Sequence, residues 1–476
     1  MIRLGAALFW NSLQSFGQLA INLLSLFVLS RILTPSDYGV YGILMIFISL
    51  SELIADCGIG GYLIKKKEVT EIYYDTLFIY NMSVSVLLYV IMYITAPFLA
   101  EFYNDSNLIL AIRILGVVVI IQAFSITQRT RLLKNLKFKA ISLITLISAA
   151  AGFIVALVLA YRGFSFWSLI WQNMILCTTS SILYVLVNRS IPHCRFNVRV
   201  FKEQFGFGIN LLASSVLQTL TNNISNNVIA KVFNIRITGL YMQANRMQSY
   251  PVSILMLIID RTFFPILSKQ SDNIELLREN VYKIQRLLYA YMMPCFTLLI
   301  CFAEEIIQVV LGKQWLECTR LFQILMIASY FMLAKSMNRS VLKSLGHTFC
   351  ILKLEIYTTL ALASFLVISV IMENLYVLAF AVVISQFISA ICSMWYLRKM
   401  ADFNLHSQCV DFIIFLIIAI IPCAIMLFEF SLWQRIVTII IWLISSLGFS
   451  KIIGLKEYDK VYKISAMAKN WIMKKL

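Results

Sequence analysis

Apolar runs of about twenty residues, each closed by a few polar or charged positions, follow one another along the whole chain. A run of that length crosses a hydrocarbon core of about 30 Å as a helix, which satisfies its own backbone hydrogen bonds. The pattern predicts spans near 8 to 30, 38 to 63, 76 to 99, 108 to 128, 140 to 161 and 165 to 187. It continues near 207 to 230, 240 to 264, 287 to 311, 319 to 341, 351 to 372 and 374 to 397, and ends near 410 to 428 and 431 to 450. The fold class is therefore all-α and polytopic, with about fourteen transmembrane helices and no connection long enough for an extramembrane domain. The first apolar run is too long for a signal peptide's core and lacks a small-residue cleavage site, so it reads as a retained span.

The chain repeats itself. RILTPSDYGVY, from Arg31 to Tyr41, returns 200 positions later as KVFNIRITGLY, with Gly39 matching Gly239 and Tyr41 matching Tyr241. Upstream, Gln18 and Asn22 return as Gln218 and Asn222, and LKNL at Leu133 to Leu136 returns as LKSL at Leu342 to Leu345. An even number of spans separates the copies, so both halves enter the membrane the same way, as in parallel-repeat transporters. The expected organisation is an N-terminal six-helix lobe at 1–188 and an inter-lobe linker at 189–206. A second six-helix lobe follows at 207–398, then two further helices and a basic tail at 399–476.

Charge sets the orientation. Only 13% of the 476 residues are charged and 61% are hydrophobic, yet the net charge is +17, with a mean hydropathy of +0.85. Alternate connections hold the cations: Lys65 to Lys67, then Arg129 to Lys139, then Arg189 to Lys202, and onwards to the Lys-rich tail. By the positive-inside rule these sides, and both termini, are cytoplasmic. The connections around Glu101, Glu304 and Glu373 are short and acidic. The positive charge is thus a topology signal and an attraction to anionic lipid, and gives no ground for nucleic-acid binding. Ten cysteines are scattered without metal-ligand spacing, and His193, His347 and His406 lie in basic loops, so no metal or cofactor is expected. No nucleophile with a base and no phosphate-cradling loop appears, which leaves an enzyme reading without support.

Two polar stripes interrupt the apolar pattern. Asn11, Ser15, Gln18, Asn22 and Ser25 share a face of the first span, with Gln14 beside them; Ser214, Gln218, Asn222, Ser225 and Asn226 make the same stripe on the seventh. Such amides serve either as interhelical packing glue or as the lining of a wet cavity. Charges within spans cost about 2.5 to 3.5 kcal/mol each at a helix centre and need a partner or water. They are Glu52 and Asp56 in the second span, Arg246 and Arg261 in the eighth, Arg113 in the fourth and Lys335 in the tenth. Arg261 and Lys335 lie near enough to a helix end to snorkel, and Arg113, matched by Arg320, also reads as an interfacial anchor. Gly58 and Gly60 mark close helix contact or a hinge, and Pro251 a kink.

RILTPSDYGVYGILMIFISLSELIADCGIGGYLIKKKEVTE, EFYNDSNLILAIRILG, LKNLKFKAIS, GFSFWSL, FGFGINLLASSVLQTLTNNISNNVIAKVF and FFPILSK, in that order, resemble bacterial Wzx-type polysaccharide flippases. These belong to the multidrug/oligosaccharidyl-lipid/polysaccharide exporter superfamily. The resemblance covers about the first 350 residues by motif and the rest by topology. It implies a V-shaped bundle of two six-helix lobes plus two peripheral helices in the bacterial inner membrane. It also implies a substrate, an undecaprenyl-diphosphate-linked oligosaccharide of an O-antigen, capsule or exopolysaccharide pathway, turned from the cytoplasmic to the periplasmic leaflet. Arg246, then Arg113, Lys335 and Arg261, are candidates for the diphosphate; the Asn/Gln stripes are candidates for the sugar. Glu52 and Asp56 are candidates for coupling to a proton or sodium ion, or for pairing with Arg246. The expected partners are the lipid-linked oligosaccharide, membrane lipid, a coupling ion, and the polysaccharide polymerase with its chain-length machinery. A drug or cation exporter and a lipid II flippase of the same superfamily are the rival readings, and a glycan polymerase lacks the large loop it would need.

Overall fold

The computed structural model describes residues 2–56, 59–66, 68–189, 195–270, 273–425 and 442. Gly58, Lys67, His193, the basic tail and, apart from Trp442, the expected last span lie outside them; for Asn222 and Arg261 only the backbone is described. The described chain is all helix and turn. Its first helices are α1 (Ile2–Ile32), α2 (Pro35–Asp56), α3 (Ile59–Lys65), α4 (Glu71–Tyr103), α5 (Asn107–Lys134), α6 (Phe138–Tyr161) and α7 (Trp167–Asn188). Next come α8 (Val198–Val232), α9 (Ile235–Ile258), α10 (Phe264–Lys269), α11 (Ile274–Cys301) and α12 (Ala303–Val310). The last are α13 (Thr319–Ser344), α14 (Thr348–Ile371), α15 (Leu375–Ala401) and α16 (Leu405–Ile425). Among the described residues, 11 helices are long and apolar enough to cross a membrane. Helices α8 and α9 are long enough but too polar to count with them, because they carry the second stripe and Arg246.

Three boundaries differ from the pattern. The span expected near 287 to 311 ends at Cys301, and Glu304 and Glu305 open a separate short helix, α12. That connection is therefore structured: it continues through Gly312, at φ 107°, into a 3₁₀ turn over Lys313–Cys318. Of the expected linker 189–206, residues from Val198 onward already belong to α8, whose start is capped by the Asn197 side chain accepting from Arg199 and Val200 N–H. Helix α9 passes through Pro251 and ends in a π turn over Ile259–Phe263 before α10. Proline removes one backbone bond and the π turn widens the next, so α9 is weakened at two places.

The two repeated turns are capped by different chemistry. Thr34 and Asp37 form a reciprocal capping box: the Asp37 carboxylate accepts from Thr34 N–H and Oγ1, both at 2.8 Å, with Pro35 at the first helical position. The second copy uses one residue, the Asn234 side chain accepting from Ile237 N–H at 2.8 Å. At both sites glycine lets backbones meet. A Cβ on Gly39 would overlap the Ile235 carbonyl, and one on Gly239 would overlap the Pro35 carbonyl. The contact is reciprocal, since Pro35 and Ile235 are themselves 200 positions apart.

The chain divides into two compact units. The first holds 1–250, 304–325 and 352–385, the second 251–303, 326–351 and 386–476, and the division falls inside α9 between Tyr250 and Pro251. The first has an apolar core of Ile48, Met92, Ile112, Leu115, Val119 and Ile170 from α2, α4, α5 and α7. Small residues close the helix seams; a Cβ on Gly152 of α6 would stand 2.7 Å from the Gln172 carbonyl of α7. The second is pinned by buried polar bonds: Gln285 Nε2 donates to Asn338 Oδ1 at 2.7 Å, Asn338 Nδ2 to Ser393 Oγ at 2.9 Å. Arg286 there pairs with Asp411 at 2.8 Å.

At the basic end of the first unit, Lys66 bonds Tyr73, Tyr62 and Glu203, tying the α3–α4 connection to the start of α8. The hydrogen bond to Lys66, and then its charge, hold the Glu203 carboxyl below the usual carboxylate range. A lowered folded pKa means that this stabilisation is complete above the unfolded value of about 4.3 and is lost as pH falls through the lower folded value. Thermal melts in detergent between pH 3 and 5 are expected to show a steeper acid loss for the parent than for Glu203→Gln, which lacks the titrating group.

Candidate functional site

Arg246 sits on α9 one turn before Pro251. Its guanidinium hydrogen-bonds the Tyr250 phenol and lies beside the hydroxyls of Tyr38 and Tyr41 from α2. Tyr250 Oη in turn donates to the Asn22 carbonyl of α1 at 3.2 Å. Among the described residues no carboxylate lies within ion-pair distance of Arg246. Phenols support the cation by dipole alone, so its charge stays available to an anion.

From Tyr41 a chain of polar side chains crosses α7 and α5 to the acid on α2. Asn173 Nδ2 reaches Tyr41 Oη at 3.5 Å, Cys177 Sγ reaches Asn173 Oδ1 at 3.5 Å, and Gln122 Nε2 contacts Cys177 Sγ at 3.1 Å. Gln122 Nε2 also donates to Glu52 Oε1 at 2.6 Å. Each short link relieves part of the cost of a polar group among apolar helices. Tyr41, Glu52, Gln122, Asn173, Arg246 and Tyr250 all keep partial exposure, so the network lies on a reachable face of the first unit. Tyr38 and Gln243 beside it are buried, with their polar groups facing each other.

The other candidates separate. Asp56 is half-buried across Gly60 from Thr130; a Cβ on Gly60 would meet Thr130 Oγ1 at 2.9 Å and Asp56 Oδ1 at 3.3 Å. Arg113 of α5 lies 4.0 Å from the Tyr93 ring centroid, with its Nε buried and unbonded, and none of its described contacts touches the network. That is the packing of a seam anchor. Lys335 is half-buried on α13 and the Arg261 backbone lies in the π turn, both in the second unit.

The stripes divide their work. On α1, Gln14 accepts from Ser142 of α6 at 3.5 Å, and Asn11 accepts a backbone bond from Ser15. Gln18 is half-buried, and Asn22 meets Tyr250 through its carbonyl. On α8, Gln218 is exposed, while Asn226 is 5% exposed with its Oδ1 unbonded. Asn223 and Asn227 donate to their own helix, and Asn227 accepts from Tyr103 at 3.0 Å. Of these, the Tyr103 bond joins two helices, as packing glue does.

Tyr38, Tyr250, Gln122 and Asn173 were absent from the sequence candidates. An amide inside a long apolar run, alone in VVVIIQAF and paired in IWQNMIL, is the signal for Gln122 and Asn173; the repeated tyrosine is the signal for Tyr41. Replacing Tyr250 by Phe removes both the Arg246 bond and the Asn22 bond. It is expected to destabilise the protein by about 1.5 to 3 kcal/mol, read as a lowered detergent melting temperature beside an unchanged Tyr161→Phe control, a site 73% exposed.

A family described as polysaccharide biosynthesis protein matches residues 28–320. The teichuronic acid biosynthesis protein TuaB of Bacillus subtilis is 25% identical over 339 residues, 71% of this chain and 70% of its own. The lipopolysaccharide biosynthesis protein WzxC of Escherichia coli is 24% identical over 324 residues, 67% of this chain and 65% of its own. Among solved structures, the lipid II flippase MurJ in an inward closed conformation aligns at a TM-score of 0.75 and 12% identity, covering 93% of this chain and 98% of that one. A multidrug resistance MATE family transporter in an inward-facing conformation aligns at 0.65 and 15% identity, over 83% and 98%. These likenesses show the fold.

Proposed function

Because the chain belongs to the polysaccharide biosynthesis protein family, within the multidrug/oligosaccharidyl-lipid/polysaccharide exporter superfamily of transporters, we propose that it flips undecaprenyl-diphosphate-linked oligosaccharide repeat units from the cytoplasmic to the periplasmic leaflet. In this reading the basic connections face the cytoplasm, the α1–α2 turn faces the periplasm, and two six-helix lobes with two added helices rock about a central path.

The observation that carries the reading is Arg246, a reachable cation held by tyrosines rather than by a carboxylate. A bare cation at membrane depth costs about 2.5 to 3.5 kcal/mol, a cost that an anionic ligand such as a diphosphate offsets. A sugar headgroup cannot enter hydrocarbon without losing its hydrogen bonds, and Asn22, Asn173, Gln122 and Gln218 offer amides in place of water. A carrier of organic cations is served poorly by an unneutralised guanidinium. Lys335, Arg113 and Arg261 are secondary phosphate candidates. Glu52 and Asp56 take the coupling role, since a bound proton or sodium ion relieves their burial and biases one state.

In vesicles carrying a fluorescent undecaprenyl-diphosphate oligosaccharide, the parent is expected to exchange it between leaflets. Arg246→Ala should slow exchange by about tenfold to a hundredfold, the equivalent of one charge-assisted hydrogen bond. Exchange at the parental rate in that variant discards the phosphate site, and movement of a cationic dye in place of the lipid discards the function. With Glu52→Gln and Asp56→Asn combined, exchange should lose its dependence on a pH or sodium gradient; an unchanged dependence removes the coupling role.

A further inference from the structure

The two cations that close the repeated motif make matching contacts. Arg31 ends α1, and its Nη2 donates to the carbonyl of Val309, the penultimate residue of α12. Lys231, 200 positions on, ends α8, and its Nζ donates to the carbonyl of Phe102, the penultimate residue of α4, at 2.7 Å. Each lies over a phenyl ring as well, Arg31 at 4.2 Å from Phe27 and Lys231 at 4.1 Å from Phe102. In the sequence repeat α4 is the third span of the first half, and α12 follows directly on the third span of the second. Each half thus ends its first helix in a cation that caps the third-helix segment of the other half, where unpaired carbonyls carry negative partial charge. All four contacting residues, Arg31, Val309, Lys231 and Phe102, belong to the first compact unit.

The same end holds the reciprocal Gly39–Gly239 contact. A pocket of about 400 Å³ lies beside Arg31 and Lys313, and one of about 410 Å³ beside Lys231 and Arg236, so both cations have water at hand. Around Arg31 the contact is reinforced: Trp315 Nε1 and Gln314 Nε2 donate to the Ser30 carbonyl, each at 2.7 Å, and Trp315 stacks edge-on against Tyr38 at 5.4 Å.

We propose that Arg31 and Lys231 are a matched pair of latches that hold the α1–α2 end shut, and that both must release their carbonyls for this end to open. The inference rests on the alternating-access reading above. Water in the adjoining pockets solvates each freed cation, so the latch is strong enough to bias the closed state and weak enough to part. The glycine pair sets the pivot distance between α2 and α9, because any side chain there would hold the two backbones apart.

Cys318 reports opening without reference to substrate. It ends the 3₁₀ turn that carries Trp315 and is 0% exposed. A membrane-impermeant maleimide is added to the full-length protein in vesicles from the α1–α2 side, and modification of Cys318 is mapped by mass spectrometry. Arg31→Gln and Lys231→Gln are each expected to raise its rate about tenfold, and the pair about a hundredfold, one charge-assisted bond being lost per site. Arg31→Lys and Lys231→Arg, which keep a cation, should stay near the parental rate and guard against misfolding as the cause. The effect of Lys231 is decisive. Its described contacts are with Phe102 and not with the turn that holds Cys318, so local fraying there leaves Cys318 unlabelled. Parental labelling in Lys231→Gln, or in the double variant, overturns the proposal. Raised labelling without oligosaccharide exchange keeps the latch and overturns the substrate; exchange with unchanged labelling does the reverse.

Discussion

Hydrocarbon gives a polar group no partner, and the arrangement of this protein follows from that constraint. Every charge or amide placed at membrane depth must be met by another protein group or by water, at a cost of several kcal/mol otherwise. The relay from Glu52 through Gln122, Cys177, Asn173 and Tyr41 to Arg246 meets the requirement by drawing side chains from α2, α5, α7 and α9 toward one face. Its acid ends on an amide and its base ends on phenols. The two are not paired directly with each other, so both groups remain open to a ligand.

Much of the secondary structure was legible because the apolar period is a direct record of the solvent. Spans such as 140 to 161 match α6 within two residues. The pattern failed where the environment stops being uniform. Residues 302–311 read as the end of a span, yet Glu304, Glu305 and Gly312 set them off as a short helix that leads into a 3₁₀ turn against the end of α1. The site was legible in its charges and opaque in its company. Arg246 and Glu52 announce themselves by cost, but a tyrosine hydroxyl in an apolar run costs little, so nothing in the order of residues separates Tyr38 from a purely apolar packing residue. Only the fold brings Tyr38 and Tyr41 beside Arg246.

The helix that carries the cation is also the one least able to act as a rigid rod. Arg246 precedes Pro251 by five positions, and eight residues after the proline comes the π turn. Up to Tyr250 the helix is anchored, by Gly239 on α2 and by Tyr250 on α1. Beyond it the hydrogen-bond ladder is interrupted twice. A bend at Pro251 therefore leaves the phenol cage around Arg246 intact, since all three tyrosines lie on the anchored side.

The meeting of Gly39 with Gly239 also bears on how a duplicated chain can drift. Two copies of an ancestral segment usually diverge independently, as Thr34 to Asp37 and Asn234 to Ile237 have done while capping the same turn. Where the copies touch each other that freedom ends, because Gly39 is fitted against the Ile235 carbonyl of the second copy and Gly239 against the Pro35 carbonyl of the first. A side chain added to either glycine would therefore strain both copies of the turn at once.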